Sequence, residues 1–119
     1  MAFTENMSTR SYVTSAAIPQ YRFIVLTSGL AAVVGTAGAR ADAVSITDAA
    51  SGGAVSGAYM GRVTIVAGGT ITKGASVSSD ATGKVITATT GHIIQGTALE
   101  AGVSGQVITV DLRLDGTAF

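Results

Sequence analysis

His92 is the single histidine of the chain, and there is no cysteine. Any Ser-His-Asp relay therefore depends on His92, because the relay needs a base near neutral pH that can take and return a proton. His92 follows Gly91 at the start of an apolar segment, which reads as a turn-flanking histidine rather than a catalytic base. The carboxylates are Glu5, Asp42, Asp48, Asp80, Glu100, Asp111 and Asp115. Most fall in expected turns, where Asp serves first by hydrogen-bonding nearby backbone N–H groups. Asp111 and Asp115 lie near an expected strand end, where Arg113 or Arg62 are candidate ion-pair partners. One histidine and no thiol provide no spacing for a transition-metal site. Gly35-Thr36-Ala37-Gly38 and Gly68-Gly69-Thr70 are glycine-rich, but they lack the Lys-Ser/Thr pair and the helix of a phosphate loop. Lys73 and Lys84 flank turns and read as solubilising. No catalytic, cofactor or metal site is expected, and the chain does not read as an enzyme.

The composition narrows the partners instead. Only 12% of the 119 residues are charged, against about 25% in an ordinary domain. Seven basic and seven acidic residues cancel, so no electrostatic footprint for nucleic acid is present. Aromatics are 5% of the chain, leaving Val, Ile, Leu and Ala to build the core. A surface of Ala, Ser, Thr and Gly suits packing against other protein better than steering charged ligands. No apolar run reaches the roughly 20 residues of a membrane helix. The polar start, without a basic segment ahead of an apolar one, leads us to expect synthesis in the cytoplasm without export by the usual route. At this length one domain is expected, burying roughly two-thirds of its unfolded surface.

The elements that would position any site are short β-branched runs cut by glycines, the pattern of a small all-β domain. Strands are expected at 21–27, 30–34, 43–47, 54–60 and 62–66, the last two read as either separate or one strand bent at Gly61. Further strands are expected at 70–72, 75–78, 84–88, 92–99 and 106–114. In the last, Ile108, Val110, Leu112 and Leu114 alternate with polar positions and are assigned to the core. Helical periodicity is lacking, with at most a turn or two near 47–51.

Residues 1–20 read as an extended N-terminal arm ending at Ile18-Pro19, and residues 21–119 as the β domain. The arm is expected either to be disordered or to order on a neighbouring subunit, with Phe3, Met7, Tyr12, Val13 and Ile18 as anchors. Tyr59 and Met60, just before Gly61, read as core or subunit-interface residues.

The two halves of the chain echo one another. Ser28-Gly29-Leu30 matches Thr82-Gly83-Lys84 in form, and residues 47–55 align with 99–107 through an acid, Ala, three loose residues, Gly and Val. Both matches lie about 52 to 54 residues apart, which suggests two similar meanders closing into one barrel or sandwich.

Two resemblances carry functional expectations. The first lies in Val66-Ala67-Gly68-Gly69-Thr70-Ile71-Thr72-Lys73-Gly74-Ala75-Ser76-Val77, which resembles the hairpin of biotinyl and lipoyl carrier domains. However, Lys84 between Gly83 and Val85 does not match the carrier lysine. The second is an ordered series. It runs from Gly68-Gly69-Thr70-Ile71-Thr72-Lys73-Gly74-Ala75 through Val77-Ser78-Ser79-Asp80-Ala81-Thr82-Gly83-Lys84-Val85 and Gly96-Thr97-Ala98-Leu99-Glu100-Ala101 to Gly105-Gln106-Val107-Ile108-Thr109-Val110. This series, within residues 21–114, resembles the capsid cement, or head decoration, proteins of tailed bacteriophages.

That resemblance implies a small β-barrel or β-tulip and no enzymatic activity. It further implies a virion structural protein on the outer capsid surface, bound to the major capsid protein, commonly as a homotrimer. Stabilisation of the expanded head against internal DNA pressure would follow. A β-rich module of a phage tail or fibre is the alternative. Phe3, Met7, Tyr12, Val13, Ile18, Tyr59 and Met60 are the expected capsid- or subunit-contacting residues. The arm is expected to lie along the capsid protein or a neighbouring copy, and to be removable with the fold intact.

Overall fold

The computed structural model describes residues 5–114 and 118–119, with the backbone alone at residues 5–8. The described residues form nine strands and no helix. They are β1 (Glu5–Val13), β2 (Phe23–Thr27), β3 (Leu30–Val33), β4 (Ala43–Ser45), β5 (Ala54–Val66), β6 (Ser76–Ser79), β7 (Val85–Thr87), β8 (Gly96–Ala98) and β9 (Val107–Leu112). The pairings between named strands are antiparallel, and the sheet order is β3-β2-β4-β5-β9-β8-β6-β7, with β1 also on β5. The all-β class expected from the glycine-punctuated apolar runs is therefore present.

β5 organises the molecule. Its first part pairs with β1 and β4, and its second part, from Gly61 onward, pairs with β9. Gly61 sits at the handover with φ of 100°, a backbone state that side chains other than glycine adopt at a cost. The 54–66 segment is thus one strand bent at Gly61.

Adding 53 to the residue number carries the first half's hydrogen-bonding pattern onto the second. The β1–β5 pairs Arg10↔Gly57 and Tyr12↔Val55 become Val63↔Val110 and Ile65↔Ile108. The β2–β4 pair Ile24↔Ala43 becomes Val77↔Gly96, and the β4–β5 pair Ser45↔Gly57 becomes Ala98↔Val110. The isolated bridge Ile18↔Ala49 becomes Ile71↔Gly102. The parallel bridge Thr14↔Ala31, which brings β1 beside β3 and curls the first half closed, recurs as Ala67↔Val85. Its second partner is shifted by 54 because the pair Ser79↔Val85 encloses five residues where its equivalent, Leu26↔Ala31, encloses four. The sequence alignment of 47–55 with 99–107 is therefore one residue out of register. The hydrogen bonds match Gly52 to Gly105, which share positive φ, rather than Gly53 to Gly105.

Burial follows the same division. One cluster fills the first half: Ile18, Ile24, Ala31, Ala43 and Val55, with Tyr12, Leu26, Val33, Ala49 and Tyr59 around it. A larger one fills the second half with Val63, Ile65, Val77, Ile108, Val110 and Leu112, and takes in Phe23, Val34, Ala41, Val44 and Ala58 from the first half. Ile108, Val110 and Leu112 occupy the core as their alternation predicts, and Leu114 packs against it.

Residues 47–51 hold no helix; there the Ala49 N–H and C=O both bond Ile18 in an isolated bridge. Two local expectations are corrected. Residues 70–72 contribute only the bridge at Ile71. The 92–99 strand shrinks to Gly96–Ala98, because residues ahead of it bond the 36–39 loop, with Ile93 N donating to Gly38 O and Gln95 Nε2 to Ala39 O.

Candidate interaction surfaces

The residues with chemical potential serve as structural ties. Ser78 Oγ lies 2.8 Å from His92 Nδ1, and Thr89 Oγ1 lies 3.2 Å from Nε2. Ser78 is fully buried and the imidazole lies directly on Gly38, where even a Cβ would collide with the ring. A Ser–His pair arranged in this way fastens the 36–39 loop. Asp80 Oδ1 accepts from Thr82 N, Thr82 Oγ1 and Lys84 N, shaping the β6–β7 loop. Asp42 Oδ2 accepts from Leu26 N at 2.8 Å. Asp111 stands opposite Arg62 in the β5–β9 ladder, and Asp115 lies outside the described residues. Among the described residues, no group of three or more His, Cys, Asp or Glu side chains is placed to hold a metal ion. A shallow hollow of about 540 Å³ is lined by Ala17, Ile18, Pro19, Asp48, Ala49 and Ala50. It lacks the convergent polar groups that orient a small molecule.

The expected contact residues divide into two groups. Tyr12, Ile18 and Tyr59 converge on the first-half cluster. Ile18 is inside it, 1% exposed, while Tyr12 and Tyr59 are half-buried at its surface. Burial is the main cause of a raised Tyr12 pKa, with Arg10 opposing it and Asp42 and Tyr59 adding to it. Val13 and Met60 are 53% and 58% exposed. They lie far apart along the β1–β5 pair, where Val13 opposes Ala54 and Met60 opposes Ser8. Phe3 lies outside the described residues, and of Met7 only the backbone, within β1, is described.

The arm is more closely tied than its composition implies. Thr14 N donates to Gly53 O, Gly52 N to Thr14 O, Thr14 Oγ1 to Ala50 O, and Ser15 N to Ala31 O. Removing residues 2–19 would strip Ile18 from the interior, so the expectation that such a truncation spares the fold is corrected.

Sequence reasoning missed Arg10, whose guanidinium lies over the Tyr59 ring at 5.0 Å from its centroid. It also missed Leu26, half-buried against the same cluster as Tyr12 and Tyr59. The available signal was the period-2 spacing of Arg10 and Tyr12, which places both on one face of an extended segment.

The fold matches that of the head fiber gp8.5 N base in bacteriophage phi29, with a TM-score of 0.78 at 16% identity, covering 95% of this chain and 99% of that one. No curated protein sequence matches the chain. The family profile described as phage cement protein matches residues 5–114, taking in both halves of the repeat. That match spans nearly every described residue, and the chain belongs to the phage cement protein family.

Proposed function

We propose that this chain binds the outer surface of a phage capsid, on the major capsid protein, and stabilises the expanded head against the pressure of packaged DNA. The observation that carries the reading is the cement-family match over both halves of the fold. Cancelled charge, low charge density and exposed Val13, Leu30, Met60, Val103 and Val107 support binding to protein. A ligand that binds only the expanded lattice stabilises it by mass action, about 2.7 kcal/mol per site at a hundredfold excess over Kd. Many copies spanning neighbouring capsomers would sum that term over the shell. The chain would be made in the host cytoplasm, would act as a homotrimer, and would place residues 21–119 as the decoration body. Capsid contact by the arm would fall to Phe3, Met7 and the exposed Val13, because Ile18 is held inside the fold.

The test is cosedimentation of the purified chain with expanded heads and with unexpanded proheads. Saturable occupancy of expanded heads and raised resistance to thermal DNA release are expected; equal occupancy of both particles, or none on either, refutes the proposal. A second reading, favoured by the likeness to the base of a head fiber, makes the chain the capsid-seated base of a longer projection. Electron microscopy of decorated heads would distinguish the two by a projecting density.

A further inference from the structure

The 53-residue repeat shows what covers one face of this fold. In the second half, the positions equivalent to Arg10, Tyr12, Leu26 and Tyr59 are Val63, Ile65, Ser79 and Leu112. All four are sealed: Val63, Ile65 and Ser79 are 0% exposed and Leu112 is 9%. The cover is the outer wall of the first half. Phe23, Val44 and Ala58 share one buried cluster with Val63, Ile65 and Leu112, and Gly38 N donates to Ser79 O.

On the first half, no described wall seals the corresponding face. Arg10 is exposed there, and Tyr12, Leu26 and Tyr59 are half-buried. The wall has equivalents too, and they differ in kind: Phe23, Val44 and Ala58 become Ser76, Thr97 and Asp111, none of them buried. The two-repeat stack therefore has unlike ends. One is polar, as a capping repeat must be to stay soluble. The other carries two tyrosines, an arginine and a leucine on a face whose counterpart is covered by an apolar sheet. Tyrosine and arginine are the residues most enriched at energetic centres of interfaces.

We infer that the Arg10–Tyr12–Leu26–Tyr59 face is the docking surface for the capsid, and that the Ser76–Thr97–Asp111 wall faces solvent. The occupant is an apolar β-sheet wall on the major capsid protein, with a carboxylate at its rim to meet Arg10. A second copy of this chain fits less well: its apolar wall is already used internally, and its equivalent wall carries Ser, Thr and Asp. The inference rests on the capsid-binding reading above.

Binding of the full chain to expanded heads is measured for wild type, Arg10→Glu/Tyr59→Ser and Ser76→Lys/Thr97→Lys. Arg10→Glu alone is carried alongside in case Tyr59→Ser disturbs folding, since Arg10 is exposed. Circular dichroism and thermal melting establish that each variant is folded. The Arg10 variants are expected to weaken binding by about tenfold or more, a loss of roughly 1.4 kcal/mol, while the lysine pair stays within about twofold. Undiminished binding by the Arg10 variants, or lost binding by the lysine pair, overturns the assignment. So does an Arg10 variant that breaks up a wild-type oligomer at unchanged capsid affinity, which would give the face to a second copy. Failure of wild type itself to bind heads refutes the capsid reading as well, and is thereby told apart from failure of this face alone.

Discussion

Tyr12, Ala43 and Gly57 in the first half occupy the places of Ile65, Gly96 and Val110 in the second. The two trios fill the same site in different ways. A Cβ on Gly57 would lie 2.6 Å from Tyr12 Cε2 and 3.1 Å from Ala43 Cβ, so the tyrosine ring occupies the space that a side chain at 57 would need. In the second half, Val110 fills that space, and the glycine has moved to position 96, where a Cβ would lie 3.1 Å from Val110 Cγ1. Gly57→Val should therefore overpack the first half and cost about 3 kcal/mol, the upper end of usual overpacking penalties. For a domain of this size, that lowers the thermal midpoint by about 10 °C. Tyr12→Ile/Ala43→Gly/Gly57→Val installs the second half's solution and should be at least about 1.5 kcal/mol more stable than Gly57→Val alone. It should do so even though Tyr12→Ile and Ala43→Gly each remove packing on their own, by the logic of a mutant cycle. Urea unfolding of wild type, the singles and the triple measures the coupling. Additive losses would refute the claim that the two halves pack by one shared plan.

Three further outcomes follow from named contacts. Gly96→Ala should leave little folded protein, because its Cβ meets the backbone carbonyl of Asp111, which cannot rotate away; soluble yield and circular dichroism check this. Ser45→Ala should cost about 1–2 kcal/mol in urea unfolding, since the buried Ser45 Oγ accepts from Arg22 N at 3.0 Å and donates to Pro19 O at 2.7 Å. The Tyr12 phenol has a pKa raised above its ordinary 10.0 in the folded state, so the unfolded chain loses that proton first. Its contribution to stability is intact below pH 10 and falls as pH rises through the folded value. Thermal midpoints measured from pH 8 upward should thus drop less steeply for Tyr12→Phe than for wild type.

The repeat explains which parts of this architecture were legible from residues alone. Glycine at matched turns shows in sequence, because positive φ narrows the choice of residue; Gly52 and Gly105 are one such pair. Register does not show, since Ala, Ser, Thr and Gly satisfy an alignment at 52 as readily as the true one at 53. Ile18 was visible as an apolar residue of the arm, but not as part of the interior. Its burial depends on a bridge to Ala49, 31 residues away, and no local pattern encodes that.

Alternation and glycine spacing thus determined by themselves that the chain is all-β and that Ile108, Val110 and Leu112 face inward, while leaving 54–66 as two strands or one bent at Gly61. These are local consequences of pleat and backbone sterics. The tertiary structure decided which face remains uncovered. Arg10, Tyr12, Leu26 and Tyr59 come from three strands; the sequence singles out Tyr12 and Tyr59 but neither Arg10 nor Leu26, and nothing in it groups the four. They become a candidate docking surface only because the second half's equivalent residues are sealed beneath Phe23, Val44 and Ala58, and the first half has no described wall in that place. Coverage is a property of how two curled halves stack about a shared strand, and it exists only once β5 has joined them.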